Sequence, residues 1–160
     1  MKTERELCFY QALKILARRM HSKVELRQKL VNKGFCGEII TSVLLECESC
    51  YYLNDHEYAR SFVLDKSRLR PMGSWRLKRE LSEKGIAGDI IREVLATHLP
   101  VEDELTLLAE LFQKKWENNK GYREKPEKLV YFLMRRGFSK NHIFKVAENL
   151  GIDIWQYNQT

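Results

Sequence analysis

The chain has 160 residues, 44% hydrophobic and 31% charged, with a formal net charge of +6, the balance of a folded protein rather than a disordered one. Its longest stretch without Asp, Glu, Lys or Arg is eight residues, 94–101, against the roughly 20 apolar residues that a membrane-spanning helix needs. Lys2, Glu4, Arg5, Glu6, Lys14, Arg18 and Arg19 also exclude a secretory apolar core at the start of the chain, so a cytoplasmic location is expected.

In chain order, Thr3-x-x-Glu6 has the form of a capping box that opens a long helix. Ser22-x-x-Glu25 opens a shorter one, whose Leu26 and Leu30 lie four apart and therefore on one face. Lys33 falls in its last turn, where a cation complements the helix dipole, and Gly34 suits the left-handed residue that ends a helix. Ile39, Ile40, Val43 and Leu44 mark a third helix. Asn54-x-x-Glu57 then starts a second long helix, which Pro71 ends. Leu77, Leu81, Lys84 and Gly85 follow, and then Ile90, Ile91, Val94 and Leu95. Pro100 opens a long helix ending near Asn118, and Pro126 suits the first turn of the next. That helix carries Leu129, Leu133, Arg136 and Gly137, and a final one carries Ile143 and Val146.

These elements repeat. Segments 22–35, 73–86 and 125–138 align without gaps on Leu-x-x-x-Leu, a cation, a glycine and an apolar residue, with the glycines 51 and 52 residues apart. A fixed period of this length is the mark of a repeat architecture. No segment alternates in polarity between hairpin turns. The expectation is an all-α tandem array of three three-helix repeats, nine helices in all, forming an elongated, curved, solenoid-like protein. Its boundaries fall at 1–50, 51–99 and 100–150, with a C-terminal tail at 151–160.

Charge is zoned. Residues 66–84 and 114–136 each hold a local excess of +5, whereas 34–59 contains no Lys or Arg and Glu102, Asp103, Glu104 and Glu110 form an acidic block. Such zoning makes an electrostatic face for a polyanion, against the simpler reading of solvated helix faces. Within 66–79, Arg and Lys suit phosphates, and Gly73 and Ser74 offer backbone donors at a helix N-terminus. Trp75 suits base stacking, but it shares the repeat position of Val24, and burial between repeats is the expectation. Trp116 and Trp155 are expected to pack, the latter docking the tail with Ile152 and Ile154.

Chemistry-bearing motifs are sparse. Cys47-x-x-Cys50 lacks a second ligand pair, with only Cys8, Cys36 and His56 to recruit, so Cys47 is expected to be a core residue and no metal or cofactor is expected. His21, His56, His98 and His142 form no catalytic spacing, there is no phosphate-binding or nucleophile motif, and Asp55 and Glu57 suit a helix start better than a carboxylate pair. The helix–glycine–helix pattern also resembles a DNA-reading helix-turn-helix. Its third helices begin with Glu38 and Asp89, which are poor neighbours for phosphates, so packing is expected instead of base readout.

Several blocks resemble the RecX family: Ser22-x-x-Glu25-Leu26-Arg27-x-Lys29-Leu30-x-x-Lys33-Gly34, Tyr52-Leu53-Asn54-Asp55-x-x-Tyr58-Ala59-x-x-Phe62-Val63, Glu80-Leu81-x-x-Lys84-Gly85-Ile86 and Arg136-Gly137-Phe138-Ser139. The resemblance runs from about 12 to 147. It departs at 70–73, where only Gly73 remains of a Gly-x-Gly turn, and at Tyr51, which stands where a glycine is usual. The resemblance implies a non-enzymatic regulator of the RecA recombinase, active in DNA repair, recombination and the SOS response. Such a protein binds RecA filaments on single-stranded DNA, changes their growth or disassembly, and inhibits strand exchange and coprotease activity. The surface expected to carry this comprises Lys66, Arg68, Arg70, Arg76, Lys78, Arg79, Lys114, Lys115, Arg135 and Arg136, with the acidic zones orienting the chain on the filament. A monomer is expected. The alternatives are a general single-stranded DNA-binding module, a protein scaffold without DNA contact and, most remotely, an enzyme.

Overall fold

The computed structural model describes residues 2–154, apart from the side chain of Arg68. Ten helices and no strands occur among the described residues. The first repeat contains α1 (Glu4–Leu16), α2 (Lys23–Val31) and α3 (Gly37–Ser49). The second contains α4 (Asp55–Leu69), α5 (Ser74–Glu83) and α6 (Gly88–His98). The third contains α7 (Val101–Asn118), α8 (Lys120–Glu124), α9 (Pro126–Arg135) and α10 (Lys140–Asn149).

The helix starts follow the capping signals. Thr3 and Ser22 close reciprocal capping boxes with Glu6 and Glu25, and the Asn54 side chain accepts from the Glu57 N–H. Pro126 occupies the first turn of α9. Helix ends follow the glycine signal. Gly34, Gly85 and Gly137 have φ of +89°, +76° and +92°. Behind them the amides of Phe35, Ile86 and Phe138 reach back to the carbonyls of Leu30, Leu81 and Leu133 at 3.4, 3.1 and 3.2 Å, the bond pattern of a left-handed helix stop. Tyr51 holds φ +58° at the end of α3, so the turn keeps its glycine-like shape without the glycine.

The tenth helix corrects the expected nine. At Asn119 the backbone turns extended (φ −136°, ψ 101°), and its side chain accepts from the Gly121 N–H at 2.9 Å, starting the short α8. Arg123 folds back and donates to the carbonyls of Trp116 and Glu117, which the break leaves without helical partners.

The chain divides into two compact units, 1–61 with 81–92, and 62–80 with 93–160. The first unit's core contains Cys8, Ala12, Leu26, Leu30, Ile40, Val43, Leu44, Cys47 and Leu53. Cys47 is thus a core residue as the spacing suggested, and burial raises its thiol to about 11, which keeps it protonated and unreactive at neutral pH. The second unit's core gathers Leu108, Phe112, Leu129, Leu133, Phe138, Ile143, Phe144 and Ile154. Phe112 stacks on the half-buried Trp116, which packs as expected. Trp155 lies outside the described residues.

The same joint between consecutive repeats is built once within each unit. In the first, the Ser22 hydroxyl donates to the Lys84 carbonyl at 2.7 Å, the Lys23 N–H donates to Asp55 Oδ1 at 2.8 Å, and Val24 lies over Gly85 so closely that a Cβ there would overlap it. In the second, the Gly73 N–H donates to the Arg136 carbonyl at 2.9 Å and the Ser74 N–H to Glu104 Oε1 at 2.8 Å, while Arg76 lies over Gly137. Ser22 and Gly73, Lys23 and Ser74, and Lys84 and Arg136 are the same positions of the repeat. In each joint, the start of one repeat's second helix is fixed by the glycine end and the first long helix of the next.

Candidate nucleic-acid interface

The basic residues singled out in the sequence are distributed unevenly. α5 brings Trp75, Arg76 and Arg79 beside the end of α9, where Met134, Arg135 and Gly137 complete the lining of an open depression of about 500 Å³. Arg79 and Arg135 are exposed there. Arg76 is half-buried: its Nε meets Glu80 Oε1 at 2.7 Å and one of its terminal nitrogens donates to the Arg135 carbonyl at 3.3 Å. It therefore shapes the floor, with its charge held against Glu80.

A second grouping forms on Phe132. The Lys115 ammonium lies 5.3 Å and the Arg136 guanidinium 5.5 Å from the centre of this ring, so α7 and the end of α9 present two cations together. Lys66 lies 5.3 Å from the Phe62 ring, while Arg70, Lys78 and Lys114 are exposed. The depression and the Phe132 pair between them include none of these four. The side chain of Arg68 lies outside the described residues.

Three expectations are corrected. Trp75 is 69% exposed instead of buried. Its repeat equivalent, Val24, is itself 48% exposed, and at about 100° per residue Trp75 points roughly 200° away from the buried Leu77. That angle was legible in the helix period, and the alignment with Val24 concealed it. The start of α5 is not an open phosphate cradle either. The amides of Gly73, Ser74 and Trp75 already donate to the Arg136 carbonyl, the Glu104 carboxylate and the Gly137 carbonyl. Finally, Glu104 is buried at 3% exposure, where it accepts from both the Ser74 N–H and hydroxyl, so it is not part of any outward acidic face. Others of the acidic zone are also engaged internally: Glu46 with Arg5, Glu48 with Lys23 and Glu57 with Arg60.

Chemically, this arrangement offers an aromatic face and guanidinium groups side by side. Such a combination can stack a planar base and hold neighbouring phosphates. The residues that sequence reasoning missed are the positioning ones, Glu80, Glu104 and Met134. Only the Arg76–Glu80 spacing of four carried a signal beforehand.

Comparison with known proteins agrees with this architecture repeat by repeat. The profiles of the first, second and third three-helix domains of RecX match residues 8–47, 54–95 and 102–146. The chain belongs to the RecX family. Among its relatives, the regulatory protein RecX of Pelodictyon phaeoclathratiforme is 34% identical over 134 residues, covering 82% of this chain and 81% of that protein. The one from Prosthecochloris aestuarii is 33% identical over 141 residues, covering 88% and 91%. The crystal structure of RecX from Lactobacillus salivarius superposes with a TM-score of 0.81 at 22% identity, over 92% of this chain and 97% of that one. The three-helix repeats are thus the RecX fold, and the relatives named here are regulatory proteins.

Proposed function

We propose that this chain is a non-enzymatic modulator of the RecA recombinase that binds the RecA–single-stranded DNA filament. Its binding alters filament growth and thereby inhibits strand exchange and coprotease activity. It acts in the cytoplasm as a monomer, with repeats at 1–50, 51–99 and 100–150. Family membership supports the regulatory role. The observation that carries a nucleic-acid contact is the exposed Trp75 beside Arg79 and Arg135 on one depression. Base stacking on an aromatic side chain contributes about 1–3 kcal/mol and tolerates any base sequence, which suits a protein that must meet a filament wherever it forms. Lys115 and Arg136 add charge from the same unit.

A second reading, a general single-stranded DNA-binding module that competes for the strand, is favoured by the same Trp75 site, because stacking needs a strand and no recombinase. Binding to RecA-coated and to naked oligonucleotide, measured across salt, separates the two. In the triple variant Trp75→Ala, Arg79→Glu, Arg135→Glu, affinity for the coated strand is expected to fall at least tenfold with helix content unchanged, and RecA ATPase and filament length are expected to return towards their values without the modulator. Equal binding by the variant at every salt concentration removes this surface from consideration. A preference for naked over coated DNA selects the competition reading.

A further inference from the structure

The first compact unit carries another concentration of positive charge that the interface above does not use. Lys14 in the last turn of α1 and Arg18 just past it, with Lys29 in the last turn of α2 and Lys33 just past it, line one depression of about 380 Å³ together with Gln11, Ile15 and Asn32. All four cations are exposed. In the same unit Arg5, Arg19, Lys23, Arg60 and Lys84 each meet a carboxylate. Among the described residues, no carboxylate pairs with any of the four at the depression. A cation in the last turn of a helix complements its dipole, which accounts for Lys14 and Lys29 taken singly. It does not account for four cations from two helices gathered around one hollow, where like charges repel. The repeat itself provides a control. Lys84, the counterpart of Lys33, is neutralised by Glu25 at 3.0 Å, and Lys33 is not.

We propose that this depression is a binding site for clustered phosphate groups, either adjacent phosphates of a nucleic-acid strand or the phosphate chain of a free nucleotide. Three of its four cations are lysines, compact point charges that suit phosphate oxygens. Arg18 adds a planar fork that can hold two oxygens of one phosphate. The hollow also holds two carboxamides. Asn32 is oriented by its Oδ1, which accepts from Gln28 Nε2 at 2.9 Å and leaves its own NH₂ free to donate. No aromatic ring lines the hollow, so it senses the spacing of negative charge and not the identity of a base. The site shares no residue with the Trp75 interface, and either can fail without the other.

The test uses the full chain at low ionic strength with three probes: inorganic tripolyphosphate, a ten-residue oligo-dT and hexaglutamate. In the unmodified protein, tripolyphosphate is expected to shift the side-chain NH₂ signals of Gln11 and Asn32, a readout that does not depend on any variant folding. The variant Lys14→Gln, Lys29→Gln, Lys33→Gln is expected to bind tripolyphosphate at least tenfold more weakly, and Trp75→Ala is expected to bind it as before. If oligo-dT binding by the lysine variant also weakens, with its salt slope reduced by about 0.7 for each lost phosphate contact, the source is a strand. If only tripolyphosphate binding weakens, the source is a free nucleotide. The proposal is overturned if neither phosphate probe moves the two amide signals, if the lysine variant binds tripolyphosphate undiminished, or if hexaglutamate moves the signals at the same concentration.

Discussion

His21 shows how one buried side chain ties this protein's stability to pH. It is 4% exposed, with Nδ1 2.9 Å from the Arg19 carbonyl oxygen. Burial lowers its basicity first, and the charges of Arg19 and Lys29 lower it further against the opposing pull of the Arg19 carbonyl and Glu25. Above pH 6.5 the ring is neutral in both folded and unfolded chains. As pH falls through 6.5 the unfolded chain takes up its proton first, so stability drops until the lower folded value is passed. Glu25 acts in the same direction further down. Burial raises its carboxyl, but Lys84 and Arg19 more than offset this, so its contribution is present above pH 4.5 and is lost as pH falls through its lowered value. Urea midpoints measured from pH 7.5 to 5.5 are expected to fall for the unmodified chain and to fall less for His21→Asn. Parallel curves would show that His21 has no part in the loss.

At the scale of the element, the joints explain why particular acidic residues stand at the starts of long helices. Asp55 and Glu104 lie in the first turns of α4 and α7, where the helix dipole favours a carboxylate. Each also accepts the first amide of another helix, from Lys23 and from Ser74. Glu104 is the more deeply buried of the two, and removing it takes the acceptor from the N–H and hydroxyl of the half-buried Ser74. An unsatisfied buried polar group costs about 1–3 kcal/mol. Glu104→Ala is therefore expected to lower unfolding free energy by about 1–3 kcal/mol, and Glu104→Gln, which keeps an accepting oxygen, by clearly less. Equal losses in a urea titration would mean that the charge, and not the hydrogen bonds, is what matters. Helix register, caps and stripes were legible in the sequence here because each is set by neighbours three or four positions away. The partner of each carboxylate was not, because Ser74 and Glu104 lie 30 residues apart.

At the scale of the whole chain, repeats and compact units do not coincide. The first unit takes in residues 81–92 of the second repeat along with 1–61, and the second unit takes in 62–80 along with 93–160. The Ser22 hydroxyl and the Lys23 N–H of the first repeat donate to Lys84 and Asp55, outside residues 1–50. A repeat-sized fragment also falls near the size at which a single core becomes marginal. Fragment 1–50 is therefore expected to melt at a lower temperature, with lower helix content, than the same residues within fragment 1–99, as followed by circular dichroism. Coincident melting would make each repeat an independent folding unit.

Read alone, the sequence determined the helical class, the threefold repeat, the capping boxes, the glycine stops and the leucine stripes. All of these follow from periodicity and from contacts within a turn or two of the chain. Tertiary structure alone decided which polar groups were already used. It occupied the amides at the start of α5, buried Glu104, and set Arg76 against the Arg135 carbonyl. It also brought Lys14 and Arg18 to the same hollow as Lys29 and Lys33. The physical reason is that a charge or donor is available to a ligand only if no group distant in sequence has claimed it, and those claims are settled by the packing of one helix on another.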